Sequence, residues 1–515
     1  MPKSVQEALQ LDQENGNTLW HDAIQKELKN VKVAFKFLSN DEPTPVSYKQ
    51  IPCHIIFDIK MDFTRKARFM AGGHKTDPPL SLTYSSVVSR DSVRIASLIA
   101  ALNELDVLAS DISNAYINAY VREKVYFIAG DEFGQLRKGQ RVVIIKALYG
   151  LKTSGAACRA HFAETLFAMG YTSSLADPDV WYKAECKPNG FDYYSYILVY
   201  VDDVLVVAYE PKRAMEIIAK SFRLKDGYGP PTRYLGATIK RWRLPGDENA
   251  VHRGHSPEEY VKQALINVEM ELQREGKRLQ GRFSTPLSPN YRPELDYLPL
   301  LSDSAALYYM ELIGILRWAV ELGRIDIMIH VSLMSSYTMQ PRQGHLDQVF
   351  HIFGYLKRNK RASILFDEQR VNWNEADFPR QDWTDFYRGA KEAIPPNAPA
   401  PRGHPVQINC FVDADHAGNR VTRRSQTGIL IFLNRAPILW YSKAQNTVET
   451  STFGSEFTAT RIAVELLESL RYKLRMFGIP LEGPVNTFCD NSSVVVSSTL
   501  PASTLKKKHN AIAYH

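Results

Sequence analysis

Apolar positions along this chain recur in two periods, and the switches between them divide it into elements. Near the amino terminus Trp20, Ala23, Ile24, Leu28 and Val31 recur at helical spacing, with Asn17 available as a cap. Arg65, Lys66 and Arg68 alternate with apolar residues ahead of Gly72-Gly73, which is the period of a strand. Residues 92–102 predict a helix and 105–110 a strand, while the apolar run 142–148 turns at Gly150-Leu151-Lys152 toward another helix. Two further apolar runs, 196–199 and 204–208, flank the tetrapeptide Tyr200-Val201-Asp202-Asp203. That pattern predicts a hairpin whose turn presents two adjacent carboxylates.

Beyond Arg241 the chain is polar and punctuated by Gly and Pro up to about Ser256, after which Pro257 opens a helix running toward Gly276. Helical periods return over 306–322 and 345–361, the second ending on Lys357, Arg358, Lys360 and Arg361, cations that suit a helix C-terminus. The stretch 371–405 holds Pro395, Pro396, Pro399, Pro401 and Pro405 and predicts a linker or insertion. Residues 407–412 then alternate as a strand delivering Asp413, with Asp415 two residues on. A hairpin pattern joins 428–433 to 436–441 through Asn434-Arg435. Glu456 lies early in a helix over 452–476, and a strand over 485–489 delivers Asp490, after which Asn491 starts a short helix.

Two carboxylates about 4 Å apart repel by about 1 kcal/mol in water and about 4 kcal/mol near a protein surface. A third carboxylate, Asp111, ends the 105–110 strand in Asp111-Ile112-Ser113-Asn114-Ala115-Tyr116. Gathering all three calls for a counter-ion, and hard oxygen donors point to Mg²⁺. An Asp on one strand against an Asp pair on the neighbouring hairpin suits two ions about 3.5–4 Å apart, the arrangement for in-line attack at phosphorus. Tyr116, five residues after Asp111, is placed to sit beneath an incoming sugar and exclude a 2′-hydroxyl; a plain core aromatic is the alternative. Lys225 is a candidate to protonate a pyrophosphate leaving group, with an ordinary surface lysine as the alternative.

Composition narrows the classes further. At 515 residues the chain predicts two to four domains. With 44% hydrophobic and 23% charged residues it is an ordinary globular composition. A formal charge of +7 suits a polyphosphate partner without establishing one. No apolar run approaches the length of a membrane span, and the opening residues MPKSVQEALQ lack the apolar core of a signal peptide. Five cysteines, Cys53, Cys158, Cys186, Cys410 and Cys489, show no paired metal spacing and predict free thiols in a reducing compartment.

Seven stretches occur in one order: Trp20-x-x-Ala23-x-x-x-Glu27, Lys66-Ala67-Arg68-Phe69-Met70-Ala71-Gly72-Gly73, Tyr84-Ser85-Ser86-Val87-Val88, the Asp111 motif, Ala147-Leu148-Tyr149-Gly150-Leu151-Lys152, the Asp202-Asp203 hairpin, and Tyr234-Leu235-Gly236. Over about residues 20–242 they resemble the reverse transcriptase of copia-type LTR retrotransposons. The likeness continues through Ile313-Gly314-x-Leu316, Gly323-Arg324-Ile325-Asp326-Ile327, His345 and Tyr355-Leu356-Lys357, into a segment similar to the family's ribonuclease H. The resemblance implies a mixed α/β (α+β) right-hand polymerase. Fingers and palm would occupy 1–240, thumb and connection 241–370, and a linker or insertion 371–405. A ribonuclease H-like domain with a five-stranded mixed sheet would occupy 406–515.

It also implies an RNA-directed DNA polymerase that copies an RNA template onto a DNA primer from deoxynucleoside triphosphates, and that cuts the RNA–DNA hybrid. Two Mg²⁺ ions per active site, or Mn²⁺ in their place, would be held by Asp111, Asp202 and Asp203 for polymerisation and by Asp413, Glu456 and Asp490 for cleavage. Arg68 or Lys66 would grip the triphosphate, Gly150 and Lys152 would pack beside the templating base pair, and the 257–276 helix would hold the duplex by its backbone. Arg420, Arg423 and Arg424 would grip the hybrid. The family's setting is transposition and DNA integration, with cytoplasmic particles and later nuclear entry. Two departures stand out. Thr153 follows Lys152 where the pattern has Gln, and Ala511, in Lys508-His509-Asn510-Ala511-Ile512, replaces an Asp expected as a fourth ligand. His509 or His515 is the candidate substitute, and a truncated tail is the other reading. No protease-like Asp-Thr/Ser-Gly, zinc module or integrase-like acid set precedes the polymerase motifs, which suggests the carboxy-terminal part of a Pol polyprotein. Two rival readings stay open: a relic that binds nucleic acid without catalysis, and a nuclease whose polymerase half is a scaffold.

Overall fold

The computed structural model describes the chain except residues 40, 61, 79–82, 245–246, 375–381, 383, 386–387, 390, 501–505, 508–509 and 512–515, with the backbone alone for 242–252, 506–507 and 510–511. Helices α1 (Val5–Glu14) and α2 (Leu19–Val31) open it, and α2 buries the stripe Trp20, Ile24 and Val31. Thr18 rather than Asn17 is the N-cap of α2, but Asn17 still serves the helix start by accepting the Leu19 N–H at 3.2 Å. Strands β1 (Phe35–Phe37), β2 (Lys49–Gln50), β3 (Cys53–Ile59) and β4 (Arg65–Ala71) follow. Next come α3 (Arg90–Leu102), β5 (Asp106–Ile112), β6 (Val125–Ile128) and β7 (Arg141–Ile144). Strands β1-β7-β6-β2 form one sheet, and β3 pairs with β4 as a hairpin. Phe35 joins them, its ring 5.4 Å from that of Phe69 and 5.3 Å from that of Phe127.

A six-stranded sheet lies at the centre. It adds β8 (Thr172–Ser173), β9 (Val180–Cys186), β10 (Asp192–Tyr200), β11 (Asp203–Ala208) and β12 (Leu224–Gly229) to β5, in the order β12-β5-β11-β10-β9-β8. Side chains alternate between its faces. Ile197, Val199, Val204 and Val206 pack under α4 (Ser154–Ala168) and α5 (Pro211–Ser221). Tyr196, Leu198, Leu205 and Val207 pack with α3 on the other side. Because both faces are covered, β10 and β11 carry continuous apolar runs, 196–199 and 204–208, rather than alternating.

The polar, Gly- and Pro-punctuated stretch after Arg241 is a hairpin of β14 and β15. Short β13 (Arg233–Tyr234) leads into β14 (Ala237–Leu244) and β15 (Asp247–Ser256), and β16 (Ile364–Phe366) pairs on the far edge. Backbone pairing on both sides of β15 organises a segment whose composition alone does not favour a strand. Helices α6 (Glu258–Arg274), α7 (Asp303–Glu321), α8 (Met328–Ser335) and α9 (Gln343–Arg358) share a separate core. α9 stops at Arg358, so Lys360 and Arg361 lie past its end.

The last part contains β17 (Ile408–Ala414), β18 (Gln426–Leu433), β19 (Ala436–Ala444), α10 (Thr452–Met476), β20 (Asn486–Cys489) and α11 (Ser492–Thr499). The sheet order is β19-β18-β17-β20, antiparallel except that β17 and β20 run parallel. It is mixed as expected, with four described strands where five were expected. After α11 the described residues offer only the two-residue pair β21 (Lys506–Lys507) and β22 (Asn510–Ala511).

Candidate active sites

The first site is built by strand register. Asp203 begins β11 directly opposite Asp111 on β5, and Tyr200 closes the hairpin against Asp203. Asp202 therefore sits in the two-residue turn between β10 and β11, and its carbonyl accepts the Ile112 N–H at 2.7 Å. The turn residue Val201 has φ +58°, a left-handed backbone that costs a β-branched side chain about 1–3 kcal/mol. Nothing in a valine signals that conformation; the strand pairing on either side imposes it.

Electrostatics match the crowding. The Asp203 carboxyl is pushed up to about 6 by burial first, then by Asp202 and Asp111. Asp202 is raised by burial and then by Asp111. Lys225 stands 3.3 Å from Asp111, so it is a partner of this centre rather than an unrelated surface lysine. Lys66 is lowered by burial, Arg68 and Lys60, while Asp202 pulls it the other way. Hard oxygen donors carrying negative charge that the nearby lysines do not cancel fit a divalent cation. The trio is nevertheless open. Among the described residues the one trio of ligand atoms within 4.8 Å of one another is Glu456, Cys489 and Asp490. An ion held by Asp111, Asp202 and Asp203 would have to draw the three carboxylates together.

Around this centre the other candidates divide. Tyr116 is half-buried, stacks edge-on against Tyr149 at 4.8 Å, and lines a recess with Ser85, Gly155, Cys158 and Val201. It is not a plain core residue. The Arg68 guanidinium lies 5.9 Å from the Tyr149 ring centre and 4.0 Å from Asp58. Burial and then Asp202 push the Tyr149 hydroxyl up to about 12. Glu27 of α2 accepts the Phe69 N–H at 2.9 Å, which docks α2 on β4 and gives the Trp20-to-Glu27 pattern its purpose. Gly150 has φ +92°, and a Cβ there would meet the Ala71 carbonyl oxygen at 2.2 Å, so glycine is required. Lys152 donates to the Thr76 carbonyl at 2.8 Å and is spent inside the protein. Thr153 is likewise engaged, its backbone N–H donating to Glu123 at 3.0 Å. Two neighbours went unselected in the sequence: Tyr149, although it sits inside a quoted motif, and Arg90, which donates to the Leu235 carbonyl at 2.9 Å beside the Tyr200 ring.

The second site sits at the ends of two parallel strands. Val412 pairs with Cys489, so Asp413 and Asp490 emerge side by side from β17 and β20. Glu456 comes from the first turns of α10, whose cap Ser451 accepts the Gly454 N–H. Glu456 is only 6% exposed, and its Oε2 has no hydrogen-bond partner. Burial pushes this carboxyl up to about 7, with Asp413 and Asp490 adding to the rise and an Ala414 backbone hydrogen bond opposing it. A buried, orphaned carboxylate oxygen beside two more acids suits a cation. Arg420, Arg423 and Arg424 are exposed on the loop between β17 and β18, which leaves the sheet at the end where Asp413 emerges. The Asn419 carboxamide shapes that loop by accepting the Val421 and Thr422 N–H groups. Ala511 is described by its backbone alone, in β22, while Lys508, His509, Ile512 and His515 lie outside the described residues.

Comparison with known proteins matches part of this sequence to a family. Residues 41–243 match the family model for reverse transcriptase (RNA-dependent DNA polymerase). The chain is 24% identical, over 96% of its length, to a retrovirus-related Pol polyprotein from transposon RE1 of Arabidopsis thaliana. It is 24% identical, over 100% of its length, to one from transposon TNT 1-94 of Nicotiana tabacum. A putative transposon Ty5-1 protein of Saccharomyces cerevisiae is 25% identical over 69% of the chain and 100% of its own length. The chain spans about a third of the two plant relatives, 31% and 36% of their lengths. Among the described residues no helix is long and apolar enough to cross a membrane. Residues 41–243 thus match the reverse transcriptase family, and nearly the whole sequence is similar to retrovirus-related Pol polyproteins of plant transposons.

Proposed function

We propose that this chain is an RNA-directed DNA polymerase that extends a DNA primer on an RNA template and also cuts the RNA strand of the resulting hybrid. The observation that carries the reading is the pairing of Asp203 with Asp111 across adjacent strands, with Asp202 in the connecting turn. When bound there by these three carboxylates, Mg²⁺ or Mn²⁺ supplies charge neutralisation at the triphosphate and acidifies the primer 3′-hydroxyl. Lys66 and Arg68 on β4 bind the triphosphate from the fingers side, Arg68 through its guanidinium fork. Tyr116, braced by Tyr149, floors the sugar pocket and excludes a 2′-hydroxyl. Lys225, 3.3 Å from Asp111, is placed to give a proton to the departing pyrophosphate. Asp413, Glu456 and Asp490 would hold the ions for hydrolysis, with Arg420, Arg423 and Arg424 on the backbone of the hybrid.

Primer extension on poly(rA)/oligo(dT) with Mg²⁺ tests the first activity. Incorporation is expected in the wild type and lost in Asp202→Asn; extension that survives the substitution unchanged would overturn the assignment. One observation favours the nuclease-only reading: a carboxylate oxygen of Glu456 is buried with no hydrogen-bond partner, whereas none on Asp111, Asp202 or Asp203 is so placed. A wild type that releases label from an RNA–DNA hybrid, loses this in Glu456→Gln, and never extends a primer would decide for it.

A further inference from the structure

We propose that Glu456, Cys489 and Asp490 form a site for a soft divalent cation of the Zn²⁺ or Cd²⁺ class, bound through one thiolate and two carboxylates. The three side chains arrive from α10, the end of β20 and the residue after it, and they bring one ligand atom each within 4.8 Å of the others. An independent observation points to a ligand in the same place. Glu456 is more than nine-tenths buried, yet its Oε2 has no hydrogen-bond partner. Carboxylates alone would select a hard ion, whereas a thiolate shifts the preference toward Zn²⁺ and Cd²⁺. Zinc bonds of about 2.3 Å to sulfur and 2.0–2.2 Å to oxygen set ligand atoms about 3.5 Å apart on a tetrahedral ion. The trio therefore closes on an ion by side-chain movements of about 1 Å. On binding, the Cys489 S–H bond breaks, its proton leaves to solvent, and the sulfur electron pair forms the bond to the ion. No oxidant takes part. Three protein ligands leave the fourth position to water.

None of the other four cysteines joins such a trio among the described residues. The site stands on geometry alone. Its consequence rests on the proposed hydrolytic reading: Glu456 and Asp490 are shared, so a soft ion occupies the place the hard ions need and halts hybrid cleavage without touching the palm. The test is a titration of the full chain with Cd²⁺, followed by the ultraviolet sulfur-to-cadmium charge-transfer absorption. The wild type is expected to take up one tight equivalent that is absent in Cys489→Ser, weakened at least tenfold in Glu456→Gln, and unchanged in Cys186→Ser. An unaltered tight equivalent in either Cys489→Ser or Glu456→Gln overturns the site, and the Gln variant decides alone if the Ser variant does not fold. Tight binding that follows this pattern without slowing hybrid cleavage keeps the site and removes the assignment of Glu456 and Asp490 to that cleavage instead.

Discussion

Asp203 bears a cost that the fold imposes on it. Its carboxyl rises from 3.8 to about 6 through burial and two acidic neighbours, so the folded chain keeps a proton that the unfolded chain has already released between those values. Metal-free stability is therefore lost from this group as pH climbs through about 6, and is retained below about 4. Asparagine mimics the protonated form. Asp203→Asn is expected to melt with the wild type below about pH 4 and progressively above it up to about pH 6, with the gap then constant, in thermal melts under EDTA. A gap independent of pH would mean that neither burial nor the neighbouring acids burden this carboxyl. Tyr116 bears a different duty, since its ring lines the recess beside Gly155 and leans on Tyr149. Tyr116→Val is expected to reduce the preference for dATP over ATP by about tenfold or more, about 1.4 kcal/mol in the competing transition states. Steady-state incorporation of each nucleotide measures it, and an unchanged ratio would reassign the ring to packing.

At the scale of elements, α2 shows how a weak sequence pattern hides a specific contact. Its apolar stripe was legible, but the periodicity says nothing of Glu27, which reaches from the helix surface to the Phe69 N–H on β4. Glu27→Ala leaves that N–H unpaired and is expected to cost about 1–3 kcal/mol, with Glu27→Gln recovering most of it. Shifts in urea midpoint at constant slope measure both. The same division runs through the chain. β10, β11 and α10 were legible because each carries its own signal: apolar runs hemming two acids, or a long helical period. The β14–β15 hairpin was not, because its pairing partner β16 lies beyond four helices in sequence. The left-handed Val201, the inward commitment of Lys152 and the recruitment of Cys489 were equally hidden. Each follows from what the fold brings beside the residue. Cysteine spacing, in particular, cannot reveal a trio drawn from a helix and a distant strand end.

At the scale of the molecule, the order of segments along the chain and the division of its core do not coincide. The largest core runs without interruption from α3 and the central sheet into β17, β18, β19 and α10. Polar contacts cross the same seam: Tyr196 donates to the Phe477 carbonyl at 2.7 Å, and Lys473 pairs with Asp91 at 2.5 Å. Arg94 ties three parts together. From α3 it donates to the Ile438 carbonyl of β19 at 3.0 Å and to the Glu321 carbonyl of α7 at 2.6 Å, with its guanidinium 3.8 Å from the Trp440 ring centre. Burial pushes this guanidinium down to about 10, with Glu321 and Asp91 holding it up. A buried cation so placed is costly to leave half-partnered, and removing it strands its acceptors. Arg94→Ala is expected to destabilise the chain by about 3–5 kcal/mol. Arg94→Lys is expected to recover little, because one ammonium cannot serve two helix and strand carbonyls while stacking on an indole. By the same reasoning a chain ending at 405 would expose the α3 side of this core and associate or precipitate, whereas the full chain stays dispersed. Light scattering on the two chains, with melts of both Arg94 variants, checks the claim. A dispersed 1–405 fragment that extends primers at the full-length rate would show that the polymerase half completes its own core.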